Sequence, residues 1–545
     1  PVWISTYTRN LQRQLDGELD RLYPDPAEKA LRAVVRKGRE NYVCLLNLED
    51  AVNAPGTEDR IALGLTARWV AASRDGDMIG GDFPAWLADL LGRRRTIDLT
   101  DTRGECIYSG CTHYGKCFIE KSVRRARRAR IVIANHALVL IQAALGGDDA
   151  YRPSRYVFDE GHHLFDAADS AFSAHLTGLE LAELRRWLIG ADTNRRSSRA
   201  RGLKARTDGL LGESGAAAEA LDEILRAAHG LPNQGWMQRL TDGAPHGPAE
   251  SFLTLVRAQV YARDANANSN YGLECDVAPG VEGLGEAGQA LSGFLDAIIK
   301  PAQRLCQILH KRLDDEADEL DTATRSRIEA IIRSLERRAI GSAGAWRAML
   351  GALLDETPED FVDFFSVERI EGRDFDTGMH RHWIDPMLPF AEQVGNSAHG
   401  LLITSATLSD STGADSTTKE DGAQQSVAVR TGARHLEGTP KFDSVASPFD
   451  YAAQTKVFIV SDIEKNNIEQ LAAANRELML ASGGGALGLF TSIQRLRAVH
   501  AKLSESERFA HMQLFAQHVD GLDTGTLVDI FRAEEDACLL GTDAV

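Results

Sequence analysis

At 545 residues the chain is long enough for three or four domains of roughly 150 residues each, and it can bury ample core without disulfide staples. Its composition, 43% hydrophobic and 26% charged, is that of an ordinary globular protein, and its formal charge of −18 argues against a protein that coats nucleic acid by overall charge. A basic groove on an otherwise acidic surface remains compatible with that balance. No apolar run approaches the ~20 residues that span a bilayer, and the opening residues lack a signal-peptide pattern.

In chain order, Pro1 leads without an initiator Met into a strand-like run, "VWISTYT", followed by an amphipathic helical stretch to about residue 37. This beginning reads as a cut inside a domain. Seven cysteines are scattered over the chain, which disfavours disulfides in the absence of an export signal. Four of them group: Cys44, Cys106, Cys111 and Cys117, with 61, 4 and 5 intervening residues. The loop "CIYSGCTHYGKC" can set three thiolates around one small metal centre, with Gly104, Gly110 and Gly115 supplying tight backbone. These spacings suit an iron–sulfur cluster better than the paired knuckles of zinc, although His113 keeps a Cys3His zinc site open. Cys275, Cys306 and Cys538 read as buried small hydrophobes.

After this loop, "EKSVRRARRARIVIANH" sets Arg124, Arg127 and Arg128 on one helical face, and Arg93, Arg94 and Arg95 precede it. Basic side chains there would neutralise the phosphates of single-stranded DNA; the plainer alternative is a solvated helix surface. Tyr108, Tyr114 and Phe118 interleave with the loop and either stack on bases or pack it.

The strongest catalytic signal is "RYVFDEGHHLFDAA" at 155–168. Tyr156, Val157 and Phe158 make a short apolar strand ending on Asp159 and Glu160, where active residues of an open α/β sheet lie. Phosphoryl transfer from ATP needs one carboxylate to hold Mg²⁺ and another to orient or deprotonate water. Asp159 suits the first task and Glu160 the second. Gly161 permits a sharp turn, and His162 is placed to sense the γ-phosphate or a neighbouring domain. An acidic pair that merely caps a helix is the bland alternative.

From about 173 to 365 the chain turns to Ala, Leu, Arg and Glu at helical spacing, broken at 230–250 and 264–272. Residues 411–426 read as a flexible polar loop. The glycines of "ASGGGALG" (481–488) read as a loop before a strand.

Several segments, in order, resemble the iron–sulfur XPD/DinG family of superfamily 2 DNA helicases. "VWISTYTRNLQRQL" looks like motif Ia, "GRENYVCLLNLED" like the segment bearing the first cluster cysteine, and "RIVIANHALVL" like the family's strand with its Asn-His pair. "VFDEGHHL" resembles motif II, and "VERIEGRDFDTGMHRHWIDP" with "HGLLITSATLSD" resembles the run into motif III, with Ser405, Ala406 and Thr407 as its coupling core. "SPFDY" and "GLFTSIQRL" are similar to the opening of the second motor domain and motif IV. The long-then-x4-x5 cysteine spacing is DinG-like rather than XPD-like.

The resemblance implies an α/β fold of RecA-like P-loop motor domains, with an inserted iron–sulfur domain and an inserted all-helical arch. Motor domain 1 would occupy 1–37, 126–172 and 366–435, the cluster insertion 38–125, the arch 173–365, and an incomplete motor domain 2 436–545. It implies ATP, Mg²⁺ on Asp159, a 4Fe-4S cluster on the four grouped cysteines, and backbone contacts to DNA from Thr6, Thr8, Asn135, Thr491 and Ser492. It further implies a monomeric, cytoplasmic, nucleoid-associated helicase that moves 5′ to 3′ on forks, D-loops, R-loops or other structured DNA, including DNA–RNA hybrids, beside a single-strand-binding protein.

Two departures stand out. No Walker A loop (G-x-x-x-x-G-K-[ST]) occurs in the sequence, and motif VI with its arginine finger is absent; the chain stops in "LLGTDAV", which resembles the start of motif V. The expectation is a truncated record of a complete enzyme that does not hydrolyse ATP in this form. The rival from another class is a non-catalytic DNA-binding module with a structural zinc site.

Overall fold

The protein was analysed as a computed structural model, which describes all residues except 54–59, 80–81, 102–105, 107–110, 145–152, 191–201, 213–214, 264–271, 371, 409–418, 510–511, 521, 523 and 543–545. The side chains of 9–10, 85, 93–94, 419–423 and 524–525 are also outside the description. Gly104, Gly110, Tyr108, the Arg93 and Arg94 side chains, the 264–271 break and much of the polar loop therefore lie outside the described residues. The chain divides into two units: Pro1–Tyr7, Leu19–Glu58 and Ile97–Gly438 form the first, and Thr8–Glu18, Asp59–Thr96 and Thr439–Val545 the second.

Short β-branched and aromatic runs build the first unit's sheets. In chain order they are β1 (Val2–Thr6), β2 (Ala33–Val35), β3 (Ile131–Asn135), β4 (Arg155–Phe158), β5 (Ala174–Thr177), β6 (Leu273–Asp276), β7 (Phe361–Ile370), β8 (Arg373–Trp383) and β9 (Gly400–Ile403). A five-stranded sheet takes the order β2-β3-β1-β4-β9, and every pairing in it is parallel. Val132, Ile133 and Ala134 are fully buried, as expected of an inner parallel strand covered on both faces. Trp3, Phe158, Leu140 and Leu164 share the core around it. This is the parallel α/β arrangement that the sequence predicts. Because the strands are parallel, all their carboxyl ends lie on one edge, which gathers Thr6, Asn135, Asp159 and Thr404.

The block expected to be helical throughout has helices such as Gly178–Ile189, Gly247–Arg263 and Leu284–Asp315, but it also contains a four-stranded antiparallel sheet, β5-β8-β7-β6. Residues 366–370 and 373–383, expected in the motor domain, lie in strands of this sheet. Phe365, Val367 and Met379 pack into the helical block's core with Leu291, Leu295 and Trp346. Alternation of apolar and polar residues along "FVDFFSVERI" is satisfied when one face covers helices. The chain rejoins the parallel sheet's core at Met387 and Phe390, the latter meeting Phe158 edge-on at 5.6 Å.

In the second unit, β10 (Ala486–Leu489), β11 (Gln513–Ala516) and β12 (Ala537–Gly541) form a parallel sheet of order β10-β12-β11. Helices Ile468–Ser482 and Ile493–Ser504 cover it through Met479, Leu496 and Val499. The glycine run does what its sequence suggests. Gly483, at φ 70°, ends helix Ile468–Ser482, and a Cβ on Gly484 would meet Glu535 O at 2.4 Å. Residues 59–96, expected within one cluster insertion, fall in this unit, where Trp69 meets Phe83 edge-on at 4.6 Å and donates to Asp82 Oδ1 at 2.8 Å.

Candidate nucleotide site and its surroundings

The site grows from the ends of β4 and β9. The Asp159 N–H donates to Ser5 O at 2.7 Å, and the Thr404 N–H to Phe158 O at 2.9 Å, so the ladder continues one residue past each strand. The chain then turns sharply. Glu160 adopts φ 54°, a left-handed conformation that costs a non-glycine residue about 1 kcal/mol or more. Gly161 donates its N–H to Thr404 O at 2.9 Å, and a Cβ there would lie 2.4 Å from Ile403 Cγ2. Only glycine lets this turn rest against β9.

The turn aims the polar side chains at the shared edge. His162 Nδ1 lies 2.7 Å from Ser405 Oγ and 3.3 Å from Glu160 Oε2, joining the DEGH box to the Ser-Ala-Thr segment. Ser405 Oγ also accepts from the Thr407 N–H at 3.3 Å. Asp159 is half-buried, and its carboxylate makes no hydrogen bond or ion pair among the described residues, which suits a carboxylate that would hold Mg²⁺.

Beneath the turn lie residues to which the sequence reading gave no role of their own. Ser5 Oγ and His136 Nδ1 are 2.7 Å apart in the interior. Burial pushes the His136 imidazole down to about 4, opposed by backbone groups of Glu160 and Asp159. Tyr7 stacks on His163 at 3.8 Å, and burial together with His162 lowers the pKa of His163. Their signal was positional: Ser5, Tyr7 and His136 lie in or directly follow a strand ending at this edge, and His163 lies in the turn after β4.

The expected DNA contacts divide. Thr6 is completely buried, and its hydroxyl has no hydrogen-bond partner among the described residues. Thr8 accepts from the Leu11 N–H, Asn135 from Leu138 and Ser492 from Arg495; each caps the helix that starts beside it. Thr491 is exposed. In helix Phe118–Arg128, Ile119, Val123 and Ala126 face inward while Arg124, Arg127 and Arg128 are exposed. Arg124 packs over the Tyr114 ring at 5.6 Å, so Tyr114 packs the loop.

Cys44, Cys106, Cys111 and Cys117 are half-buried and lie in the first unit. The Cys44 N–H donates to Leu99 O at 2.8 Å, beside a Val43–Thr100 bridge. Cys117 is the N-cap of helix Phe118–Arg128; burial raises its pKa, while the N–H groups of Glu120 and Ile119 and the charge of Arg39 favour its thiolate. Such donors fit a cluster-ligating sulfur. His113 is committed to Glu49 at 2.8 Å. Among the described residues, the ligand atoms that converge within 4.8 Å of one another belong instead to three histidines, His175, His380 and His382. Cys306 and Cys538 are buried as expected, with burial pushing Cys306 up to about 12, whereas Cys275 is half-buried.

An acid box and a Ser-Ala-Thr segment thus meet at the carboxyl edge of a parallel sheet. No family model matches the chain. The Bacillus subtilis "3'-5' exonuclease DinG" is 23% identical over 572 residues, covering 100% of this chain and 54% of that protein. The Escherichia coli "ATP-dependent DNA helicase YoaA" is 31% identical over 199 residues, 34% of this chain and 29% of that protein. A solved "XPD_Helicase" chain aligns over 99% of this chain and 72% of its own, at 11% identity and a TM-score of 0.35. The chain is thus similar in sequence to proteins named DinG and YoaA, and it spans about half the length of the Bacillus protein.

Proposed function

We propose that this chain is the larger part of an ATP-dependent DNA helicase motor. The observation that carries the reading is His162, hydrogen-bonded to Ser405 and beside Glu160, at the carboxyl ends of two adjacent parallel strands. In this reading Asp159 holds Mg²⁺, which neutralises phosphate charge when ATP is bound. Glu160 orients the attacking water and accepts its proton. His162 reports the state of Glu160 to Ser405, and through Ala406 and Thr407 to the chain beyond β9. Arg124, Arg127 and Arg128 offer a basic helix face to DNA phosphates. Translocation 5′ to 3′, action on forks and other structured DNA, and a 4Fe-4S cluster on Cys44, Cys106, Cys111 and Cys117 belong to the same reading.

The test is Glu160→Gln in a polypeptide that also supplies a Walker A loop and motif VI. ATP binding is expected to persist while hydrolysis and unwinding are lost; unwinding that survives would refute the role of Glu160. A chain that binds single-stranded DNA with unchanged affinity whether or not ATP is present would favour a non-catalytic binding module.

A further inference from the structure

Three histidines meet where the inserted domain joins the helix that follows the DEGH box. His380 and His382 are two residues apart on β8 and so share a face of the antiparallel sheet. His175, on β5, is the direct cross-strand partner of His380 and lies on the same face. One nitrogen from each ring lies within 4.8 Å of the other two. Two Zn–N bonds of ~2.0–2.1 Å at a tetrahedral angle separate nitrogens by roughly 3.4 Å, so the rings need to close by only about an ångström.

Each ring already has a hydrogen-bond partner. His175 Nε2 lies 3.0 Å from Ser173 Oγ, His380 Nε2 2.7 Å from Ser366 Oγ, and His382 Nδ1 2.8 Å from Asp169 Oδ2. Each ring is thus held by a partner through one nitrogen, and its other nitrogen has no hydrogen bond among the described residues; ligating imidazoles are oriented by such partners. The other Asp169 oxygen is buried and has no hydrogen-bond partner, leaving negative charge beside the rings. Phe364 packs on both His380 and His382, with ring centres 5.1 and 5.2 Å away. His175 also lines a cavity of about 740 Å³.

We propose that His175, His380 and His382 form a Zn²⁺ site, with Asp169 as the carboxylate behind His382 and water in the fourth position. Three imidazoles without thiolate select an ion of the zinc class over calcium or magnesium. The ion would fasten the inserted domain to helix Leu164–Phe172, which carries Asp169. The site is separate from the four grouped cysteines and does not depend on the helicase reading.

The experiment compares the chain with its His175→Gln/His382→Gln variant after chelation and reloading with Zn²⁺ or Co²⁺. The expected result is one fewer bound ion per chain in the variant, and a thermal midpoint that rises with Zn²⁺ more in the parent chain. The parent-minus-variant cobalt spectrum is expected to lack sulfur-to-cobalt charge-transfer bands. Equal metal content, or a difference spectrum carrying sulfur bands, overturns the proposal. Should the double variant fail to fold, Asp169→Asn decides: it keeps all three rings and is expected to weaken Zn²⁺ binding about 10–100-fold, whereas unchanged affinity overturns the site.

Discussion

His162 Nδ1 and Ser405 Oγ, 243 residues apart in sequence, lie 2.7 Å from each other across the carboxyl ends of β4 and β9. The contact is the most direct link between the acid box and the Ser-Ala-Thr segment. Ser405→Ala removes a hydrogen bond whose net worth is about 1 kcal/mol. In a polypeptide with a complete ATP site, DNA-stimulated hydrolysis should fall by roughly fivefold. Unwinding should fall further, because Glu160 is untouched but its state is no longer passed on. Parallel assays of hydrolysis and unwinding would show whether the two losses differ.

Gly161→Ala tests the turn itself. The new Cβ would sit 2.4 Å from Ile403 Cγ2 and 3.3 Å from Thr404 O, forcing β9 away from β4. A loss of about 1–3 kcal/mol is expected, as for overpacking elsewhere, read as a lower urea midpoint. An unchanged midpoint would mean that β9 yields without cost.

Acid should weaken the first unit through His136. Its folded pKa is near 4 against an ordinary 6.5, because burial disfavours the charged ring. The unfolded chain therefore takes up this proton first as pH falls. The stabilisation is whole above about 6.5, declines as pH drops toward 4, and is gone below that, amounting to at most about 3 kcal/mol. His136→Asn should flatten this part of a denaturation-against-pH curve, and an equally steep curve in the variant would remove His136 as its source.

Within the inserted domain, Arg381 donates to both Asp363 oxygens, at 2.7 and 2.6 Å, across the β7–β8 hairpin, and both residues are buried. Asp363→Ala strands the guanidinium, for which about 3–5 kcal/mol is the usual loss. The double change to Asp363→Leu with Arg381→Met should recover most of it. Thermal unfolding of the single and double variants distinguishes a stranded charge from lost packing.

Iron and acid-labile sulfide on anaerobically purified chain test the cysteines. About four of each per chain is expected for a 4Fe-4S centre, with loss of both in Cys111→Ser. Zinc without sulfide, removed by the same substitution, would replace the cluster with a structural zinc site.

The sequence exposed the parts of the motor whose chemistry is local. An apolar strand ending on Asp159-Glu160 needs no partner to be recognised, and "RIVIANH" declares a buried strand by its β-branched run. What escaped depends on pairing at a distance. The 361–383 hairpin mixes charged and aromatic residues, and its inward face is defined only once β5, β6 and helix Gly247–Arg263 are in place. His380 and His382 accordingly passed as part of a motif, although H-x-H on a strand sets two rings on one side. The burial of Thr6 depends on pairing at a distance in the same way. A hydroxyl at a strand end looks accessible in sequence, and only the packing of the neighbouring elements closes it off.

Arg155 of β4 pairs with Gly400 of β9, so two neighbouring strands are separated by the entire inserted domain. Equilibrium stability feels this detour weakly, since each doubling of a loop adds only ~0.6 kcal/mol to its closure. Synthesis feels it strongly. β4 emerges from the ribosome early and remains an open edge while some 240 further residues are made (400 − 155 = 245). Until β9 arrives to cover it, that edge is free to recruit a strand from another nascent chain. The inserted domain, which has its own core, can complete folding in the interval, and the speed with which it does so sets how long the motor sheet stays vulnerable to aggregation.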